Sequence, residues 1–173
     1  MSDSFPNNAI VIRFGMPTPF WCLSMSYGIF NCSSERRTFH SPDQYIAFKM
    51  LARPEDRARI MKTPNGYLAH NNLQAILSES KSYLDNEVIV KNWEADRDAI
   101  MHYCLQQKFS QSAMLAESLM RTRERPIIDD SRGDETYWCD AQGKGLDKHG
   151  KLLEKVRAEL ISGELLPYVS RAR

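Results

Sequence analysis

The feature that most constrains the fold is a helix start that recurs in the first half of the chain. Each time, a polar residue precedes a proline and a run of helix formers, in "HSPDQYIAFKM", "ARPEDRARIM" and "KTPNGYLAHNNLQAILSES". Proline suits the first helical position, where its missing N–H is not needed, and a serine or threonine before it accepts free backbone amides. We predict N-caps at Ser41 and Thr63, with Pro42, Pro54 and Pro64 opening three helices.

The second half of the chain also has helical periodicity. A long helix is predicted to begin near Trp93 in "NWEADRDAIMHYCLQQKF", and a break at Ser110 leads into the helical segment "SAMLAESLM". The last helix is predicted from about His149 to Ile161. Apolar residues at helical spacing support both assignments. In the long helix they are Ile100, Cys104 and Leu105, and in the last helix Leu152, Leu153, Val156 and Leu160.

Only two segments have the composition of strands. "NAIVIRFG" predicts one short strand from about Ala9 to Phe14, and "RPIIDD" predicts a second around Ile127 and Ile128. A chain of 173 residues with 42% hydrophobic residues is long enough for one sizeable core. We therefore predict a single domain of the mainly α class with a little β structure.

Charge and cysteine usage exclude several function classes. Lys plus Arg number 23 and Asp plus Glu 22, so the net charge of +1 gives no reason to bind nucleic acid or anionic lipid by bulk charge. The four cysteines form no C-x-x-C pair, which is typical of reduced thiols. No stretch approaches the roughly 18 apolar residues of a membrane span, and the N-terminus lacks a signal-like pattern. We expect a soluble, cytoplasmic protein without membrane partners.

The usual catalytic and cofactor motifs are missing from the sequence. The four histidines have no metal-ligand spacing, so we expect surface or partly packed imidazoles and no metal. Neither a G-x-S-x-G nucleophile motif nor a glycine-rich nucleotide loop after a strand is present. Gly143 and Gly145 do precede the last helix, where free backbone N–H groups favour a phosphate or carboxylate.

Two large rings lie in an acidic stretch before the last helix. Tyr137 and Trp138 are flanked by Asp134, Glu135 and Asp140 and lie outside any apolar periodicity. One interpretation is that the rings pack into the core. The other is a cleft that stacks a planar or sugar ligand while the carboxylates bind its hydroxyls. Asp43 is equally open from its position alone, because a carboxylate in a first helical turn is favoured by the helix dipole whatever its function.

Four blocks of the sequence, in the same order, resemble those of the NADAR family, also called YbiA-like. That family carries an early "F-x-x-L-S-N" segment, an [S/T]-x-E-[H/Q] stretch opening a helix and ending in lysine, an "N-W" before a long helix ending "K-F", and a late "YWG…G-K-G-x-N-x-L-G" block. The counterparts here are "FWCLSM", "SPDQYIAFKM", "KNWEADRDAIMHYCLQQKFSQSAMLAESL" and "YWCDAQGKGLDKHGKLLEKVR". Together the blocks cover about residues 10–162.

The resemblance implies a fold and an activity. The family fold is a mainly helical orthogonal bundle with a few short strands, which here would have its core at about residues 9–162. Family members are associated with N-glycosidase reactions, which remove ADP-ribose from guanine or hydrolyse phosphorylated riboflavin-pathway intermediates. No cofactor is implied. The implied ligand is an ADP-ribose-like or phosphoribosyl small molecule, or an ADP-ribosylated guanine in nucleic acid.

The resemblance also assigns roles to residues. It implies Asp43 as the carboxylate at the sugar, Asp140 or Glu135 as a second acid or sugar-hydroxyl ligand, and Lys49 or Lys144 as an amine for a Schiff-base route. The glycines would admit a phosphate, Tyr137 and Trp138 would frame the ligand, and Phe20 and Trp21 would close the opposite wall. The full set of implied substrate-binding residues is Phe20, Trp21, Ser24, Trp93, Tyr137, Trp138, Gly143, Lys144, Gly145 and Asp147.

Several residues depart from the family pattern. The family glutamate is shortened to Asp43, and the lysine seven residues later is replaced by Met50, with Lys49 one position earlier and about 120° from the Asp43 face of the helix. The other changed positions are Met25, Cys139 and Asp147, which replace an asparagine, a glycine and an asparagine. Three functions stay open from the sequence: an N-glycosidase, a module that binds ADP-ribose or a nucleotide without hydrolysis, and an interaction protein with a decayed pocket.

Overall fold

The computed structural model describes residues 5–13, 20–80, 88–131, 136–140 and 143–167. The chain divides into two compact units. Unit 1 combines Met1–Ser24 with Lys108–Arg173, and unit 2 is Met25–Gln107. The helices and strands of the described residues are β1 (Ile10–Ile12), a short 3-10 helix (Trp21–Leu23), β2 (Phe30–Cys32), β3 (Arg37–Phe39), α1 (Pro42–Met50), α2 (Pro54–Met61), α3 (Gly66–Glu79), α4 (Trp93–Ser110), α5 (Ala113–Met120), β4 (Ile127–Asp129) and α6 (Lys148–Ser162).

The secondary structure confirms the mainly α prediction. Helices α4 and α5 follow the predicted course, with α4 beginning at Trp93 and α5 capped by Ser112. Helix α6 extends one residue beyond the prediction at each end. Within it Leu153, Val156 and Leu160 are buried as expected, and Leu152 is half-buried. Among the described helices, none combines the length and the apolar composition needed to cross a membrane.

Unit 2 is built on three mutually packed helices, α1, α2 and α3. Ser41 caps α1 as predicted, because its Oγ accepts the Gln44 N–H at 3.2 Å, and Pro42 occupies the first turn. Pro54 opens α2 in the same way. The apolar faces of these helices meet in one core cluster, which consists of Ala47, Leu51, Ile60, Leu73, Ile76, Leu77 and Val88.

The prediction for the start of α3 was wrong by two residues. Pro64 does not open the helix and Thr63 does not cap it. The N-cap is Asn65, whose Oδ1 accepts the Leu68 N–H at 2.9 Å. The Thr63 hydroxyl instead donates to the Ile60 carbonyl at 2.7 Å, at the end of α2. Thr63 and Asn65 both lie next to Pro64, and either could cap α3. Because the Thr63 hydroxyl bonds to the end of α2, Asn65 is the cap.

A β-hairpin in unit 2 was not predicted from the sequence. Strands β2 and β3 pair antiparallel, with Phe30 opposite Phe39 and Cys32 opposite Arg37. The buried rings of Phe30 and Phe39 stack with centroids 5.8 Å apart, and the Tyr45 ring of α1 packs edge-on against both. This aromatic cluster anchors the hairpin beside α1.

Unit 1 contains the two predicted strands. Strand β1 pairs parallel with β4, so that Ile10 lies opposite Ile127 and Ile12 opposite Asp129. Phe14, the predicted end of the first strand, lies outside the described residues. Helix α6 packs on β4, and α5 packs on α6 and on the 3-10 helix. Strand β4 is buried along its whole length, which places Asp129 in the interior of the unit.

Candidate active site

The Asp43 carboxylate lies at the N-terminus of α1 in unit 2. The residue is only 5% exposed, and its Oδ2 accepts a hydrogen bond from the Ser26 hydroxyl at 2.5 Å. Its backbone N–H donates to the Met25 carbonyl at 3.1 Å. The first turn of a helix, at the positive end of the helix dipole, stabilises a carboxylate. The segment that contains Met25 and Ser26 thus fixes the position of Asp43.

A buried glutamine next to Asp43 holds the start of α1 in place. The Gln44 Oε1 accepts the His40 N–H at 2.8 Å, and its Nε2 donates to the carbonyls of Ile60 and Thr63 at 3.2 and 3.1 Å. These bonds link the N-terminus of α1 to the C-terminus of α2. They give the Asp43 backbone a rigid support, because each of the two buried carbonyls would lose a partner if Gln44 moved.

Lys49 faces a different part of unit 2. Its Nζ forms an ion pair with Glu35 Oε1 at 2.7 Å. Together with Tyr45 and Tyr103 it lines an open cleft of about 590 Å³, which also contacts Asp96 of α4. Burial raises the pKa of Tyr45, with smaller contributions from neighbouring acidic groups. Lys49 would have to leave Glu35 before its amine could attack a substrate aldehyde.

The early aromatic block lies in unit 1 around the 3-10 helix. The Trp21 ring is 52% exposed, and the guanidinium Cζ of Arg125 lies 5.4 Å from the centroid of the Phe20 ring. The Ser24 carbonyl accepts a hydrogen bond from Lys108 Nζ at 2.9 Å. Lys108 is fully buried and was not singled out from the sequence, where only its place in the "K-F" pair marked it.

Trp93, the remaining aromatic candidate of the early half, begins α4 and is 5% exposed. Its backbone N–H donates to the Val90 carbonyl at 3.1 Å. Its indole therefore packs inside the protein in this structure.

The aromatic pair of unit 1 belongs to a loop tied to the start of α6. The rings of Tyr137 and Trp138 meet edge to face with centroids 4.9 Å apart. The carbonyls of Thr136, Tyr137 and Trp138 accept the N–H groups of Leu146, Lys148 and His149, at 2.7, 3.2 and 3.0 Å in that order. Trp138 is 6% exposed, whereas Tyr137 is half-buried. Tyr137 is thus the ring of the pair with surface to offer a ligand.

Close backbone packing explains why two positions in this loop and at the start of α6 are glycine. A Cβ on Gly145 would collide with the Cys139 carbonyl oxygen, and a Cβ on Gly150 would collide with the Ile127 carbonyl oxygen. Both glycines are needed for close approach of two backbone segments. Gly143 has a φ of 79°, in the left-handed region. Gly143 is exposed, and its N–H donates to the Asp140 carbonyl at 3.3 Å.

The other loop residues with a predicted role as an acid or as the amine differ in burial and in hydrogen bonding. Asp140 is half-buried, and its Oδ1 accepts the Gly145 N–H at 3.0 Å, which closes the turn between them. Lys144 is exposed. Glu135, like Asp134, lies outside the described residues.

A buried cluster of two aspartates and a histidine lies where β4 meets α6, and it corrects the expectation for His149. His149 is fully buried, and its Nδ1 lies 2.6 Å from Asp129 Oδ2. Burial opposes ionisation of Asp129, but the hydrogen bond and charge of His149 outweigh it and lower the pKa of Asp129. The histidine is internal because a second buried group, twenty positions away in the chain, supplies its partner.

Asp147 completes this cluster. It is 8% exposed and caps α6, with φ 48° and ψ 46° in the left-handed region that Asp and Asn tolerate best among residues with a side chain. Its Oδ1 accepts the N–H groups of Asp129 and Gly150, at 3.0 and 3.3 Å. Burial, together with the carboxylates of Asp129 and Asp140, raises the pKa of Asp147 to about 7.

Comparison with known proteins identifies the family. The family model of the NADAR domain matches residues 14–161. The chain belongs to the NADAR domain family. The match includes every element described above from the 3-10 helix to α6 except the last residue of α6. The family assignment made from the four sequence blocks is therefore confirmed.

Curated NADAR relatives are similar over part of the chain. N-glycosidase YbiA of Escherichia coli (strain K12) is 35% identical over 71 residues, which is 40% of this chain and 44% of the relative. N-glycosidase Npun_R5314 of Nostoc punctiforme is 30% identical over 70 residues, 40% of this chain and 45% of the relative. The aligned segment thus spans less than half the length of each of these relatives.

A solved NADAR relative shares the fold. The NMR structure of the E. coli protein YbiA superposes with a TM-score of 0.68 at 20% sequence identity, covering 99% of this chain and 93% of that one. This likeness supports the mainly helical architecture with minor β structure.

Proposed function

We propose that this NADAR protein is an N-glycosidase that hydrolyses a bond between a ribosyl C1 and nitrogen, with an ADP-ribosylated guanine as its substrate. The observation that carries the proposal is the Asp43 carboxylate, which is buried, lies at a helix N-terminus and is held by the Ser26 hydroxyl at 2.5 Å. Membership of the NADAR family supports it. So do the partial matches to two proteins named N-glycosidases.

The chemistry of the bond explains why a carboxylate is needed. When a ribosyl C–N bond breaks, positive charge develops on the sugar and negative charge on the leaving base. A carboxylate fixed next to the sugar stabilises the first charge in a site where water is excluded. The bonds of Gln44 hold the Asp43 backbone rigidly, so its carboxylate needs little reorganisation as charge develops.

The other predicted residues have supporting roles in this proposal. Within unit 1, Tyr137 and Trp21 keep accessible ring surface, which suits a base or an adenine. Gly143 and the loop at the start of α6 receive a phosphate. The buried rings of Trp138 and Trp93 support the surrounding structure. Gly145 has the same kind of role, because a Cβ there would collide with the Cys139 carbonyl oxygen. The same roles would serve a phosphoribosyl riboflavin-pathway intermediate, which contains the same kind of bond.

A binding module without turnover is the second candidate. Three departures from the family pattern favour it, namely Met50 in place of lysine and Met25 and Asp147 in place of asparagines. Lys49 does not restore the missing amine on the Asp43 face, because it lies about 120° around α1 and contacts Glu35.

One assay separates the two candidates. The full chain is incubated with ADP-ribosylated guanosine, release of guanosine is followed by chromatography, and binding of ADP-ribose is measured by calorimetry. We expect release that is abolished by Asp43→Ala while ADP-ribose still binds. Binding without release by the wild-type protein would contradict the glycosidase proposal and support the module. Release that survives in Asp43→Ala would contradict the role of Asp43.

A further inference from the structure

The open cleft of about 590 Å³ in unit 2 lies on a different side of α1 from the Asp43 carboxylate. Pockets that hold small molecules are usually about 300–1,000 Å³ in volume, so the cleft has a suitable size. Tyr45 lines it from α1, two residues after Asp43, and two residues turn a helix by about 200°. All of the lining residues lie between Ser34 and Tyr103, within unit 2.

The Tyr45 hydroxyl is a buried polar group on the wall of this cleft. Tyr45 is only 2% exposed, and its ring packs edge-on against Phe30 and Phe39. Its hydroxyl forms no hydrogen bond with the described residues. Burial raises the pKa of Tyr45, so the phenol keeps its proton and can donate it. A buried hydroxyl without a partner is costly, and a ligand acceptor in the cleft would supply the partner.

Arg57 gives the cleft a guanidinium that no carboxylate of the described residues neutralises. Its Nε donates to the carbonyl of Leu51, the C-cap of α1, at 2.6 Å. That bond fixes the side chain, and the two terminal nitrogens form no hydrogen bond with the part of the chain that the structure describes. Terminal guanidinium N–H groups match two oxygens of one phosphate, because both partners are rigid and their spacings agree.

The charges beside the cleft favour an anion. The Lys49 ammonium is compensated by Glu35 at 2.7 Å. The guanidinium Cζ atoms of Arg57 and Arg37 lie 5.3 and 5.4 Å from the centroid of the same phenylalanine ring, and no acid among the described residues pairs with Arg37 either. Asp96, which lines the cleft, is exposed, so solvent and salt screen its charge. The two guanidinium groups therefore outweigh this one acid.

The α4 side of the cleft suits a flat organic group. Asp96, Ile100 and Tyr103 are three or four residues apart and line the cleft from one face of the helix. Ile100 and Tyr103 are half-buried and offer aliphatic and ring surface, against which a planar group can pack. The Asp96 carboxylate supplies oxygens that can accept hydrogen bonds from ligand hydroxyl or amino groups.

We propose that this cleft binds a ring-bearing phosphomonoester of the size of a nucleoside monophosphate, at a site separate from the Asp43 carboxylate. The phosphate accepts hydrogen bonds from Arg57 and from the Tyr45 hydroxyl. The ring packs on Tyr103, and Asp96 accepts a hydrogen bond from the ligand. Binding breaks no covalent bond and does not depend on the proposed glycosidase activity.

Calorimetry of the full chain with adenosine monophosphate tests the inference. Adenosine and inorganic phosphate represent the two halves of this probe, and we expect each to bind at least about tenfold more weakly than the whole. Tyr45→Phe removes only the hydroxyl and should weaken binding of adenosine monophosphate by about tenfold, because a hydrogen bond to a charged group is lost. Tyr67→Phe, at an exposed position on α3 of the same unit, is the matched control and should keep the wild-type affinity.

A second variant removes the guanidinium. Arg57→Gln should weaken binding on the order of 10²-fold, because the charge and the terminal donors are both lost. Arg59→Gln is its control, since Arg59 is on the same helix and pairs with Glu79, and it should keep the wild-type affinity. Thermal unfolding accompanies both, because Arg57→Gln also deletes the bond to Leu51. Tyr45→Phe loses no hydrogen bond to the described residues and should keep the wild-type Tm.

Three results would overturn the inference. They are a chain that does not bind adenosine monophosphate, adenosine that binds as tightly as its phosphate ester, and binding that Tyr45→Phe leaves unchanged. The guanosine-release assay is separate from these measurements. A chain that binds adenosine monophosphate as expected but releases no guanosine would contradict the proposed function and support the cleft as a binding site.

Discussion

Helices α1 and α2 of unit 2 both begin with a proline and have a buried acid in the first turn, and the two acids have different partners. Asp56 of α2 is 7% exposed, and its Oδ2 contacts Arg53 Nε at 2.6 Å, within its own helical turn. Asp43 of α1 is 5% exposed, and its Oδ2 accepts a hydroxyl hydrogen bond from Ser26, seventeen residues upstream. The guanidinium contact of Asp56 is an ion pair, whereas the hydroxyl of Ser26 orients the Asp43 carboxylate.

The comparison shows that the proline and the acid predict a helix start but not the role of the acid. Both acids are favoured by the helix dipole. The role of each acid depends on the group that its carboxylate contacts. In α2 the partner is local and the contact stabilises the helix. In α1 the partner comes from another segment, which is the arrangement expected where a carboxylate is held for chemistry.

The largest expected difference is in the rate of guanosine release after substitution of each of the two acids. Asp43→Asn should lower the rate of guanosine release by about 10²-fold or more, because the amide cannot stabilise positive charge on the sugar. Asp56→Asn should leave the rate within about twofold of the wild type and cost on the order of 1 kcal/mol in the free energy of unfolding. Release assays and urea unfolding measure both quantities. Equal rates for the two variants would remove the distinction between the acids.

Removing the hydroxyl tests the support of Asp43 and should have a smaller effect. Ser26→Ala deletes the 2.5 Å hydrogen bond to the carboxylate and should lower the rate by roughly tenfold, because a hydrogen bond to a charged group contributes about 1.5–3 kcal/mol. Ser78→Ala is the matched control, since that exposed hydroxyl bonds to a carbonyl of its own helix, Ala75 O. If both variants keep the wild-type rate, Ser26 does not hold a catalytic group.

The start of α6 also has a buried acid, Asp147, and we expect it to make stability depend on pH. This is the smallest of the expected effects. The folded state raises the pKa of Asp147 to about 7, so the neutral form is favoured there. The contribution of this group to stability is therefore full below about pH 4, falls as pH rises towards 7 and is constant above that.

The amide introduced by Asp147→Asn cannot ionise, so the Tm of this variant relative to the wild type should rise between about pH 5 and pH 8, by a few degrees. Differential scanning calorimetry at the two pH values measures this. Asn65→Asp, at the exposed cap of α3, provides a control in which no such rise is expected. A Tm difference for Asp147→Asn that is the same at both pH values would show that the acid is not neutral in the folded protein.

Helix starts and strand positions could be predicted from the sequence because their causes are local. Ser41, Pro42 and Pro54 act within one turn, and the apolar spacing of α4 and α6 is visible in the chain itself. The hairpin of β2 and β3 was not predicted because each strand has only three residues and the turn between them is polar. The start of α3 was misplaced because Thr63 and Asn65 could both serve as caps.

The buried polar groups of the site could not be predicted, since their partners lie far away in the chain. The Lys108 ammonium bonds the Ser24 carbonyl across 84 positions, and His149 meets Asp129 across twenty. In sequence each is an ordinary polar residue on a helix. Asp43 was identified as a candidate only through the family blocks, and its burial and its bond to Ser26 are known only from the fold.

A crystal structure of the full chain with ADP-ribose would show whether the Asp43 carboxylate meets the ribose. We expect the ribose C1 that bears the base in the substrate to lie about 3–3.5 Å from a carboxylate oxygen of Asp43. Ligand density in the cleft lined by Lys49 and Tyr103, with the Asp43 carboxylate sealed from the sugar, would contradict it.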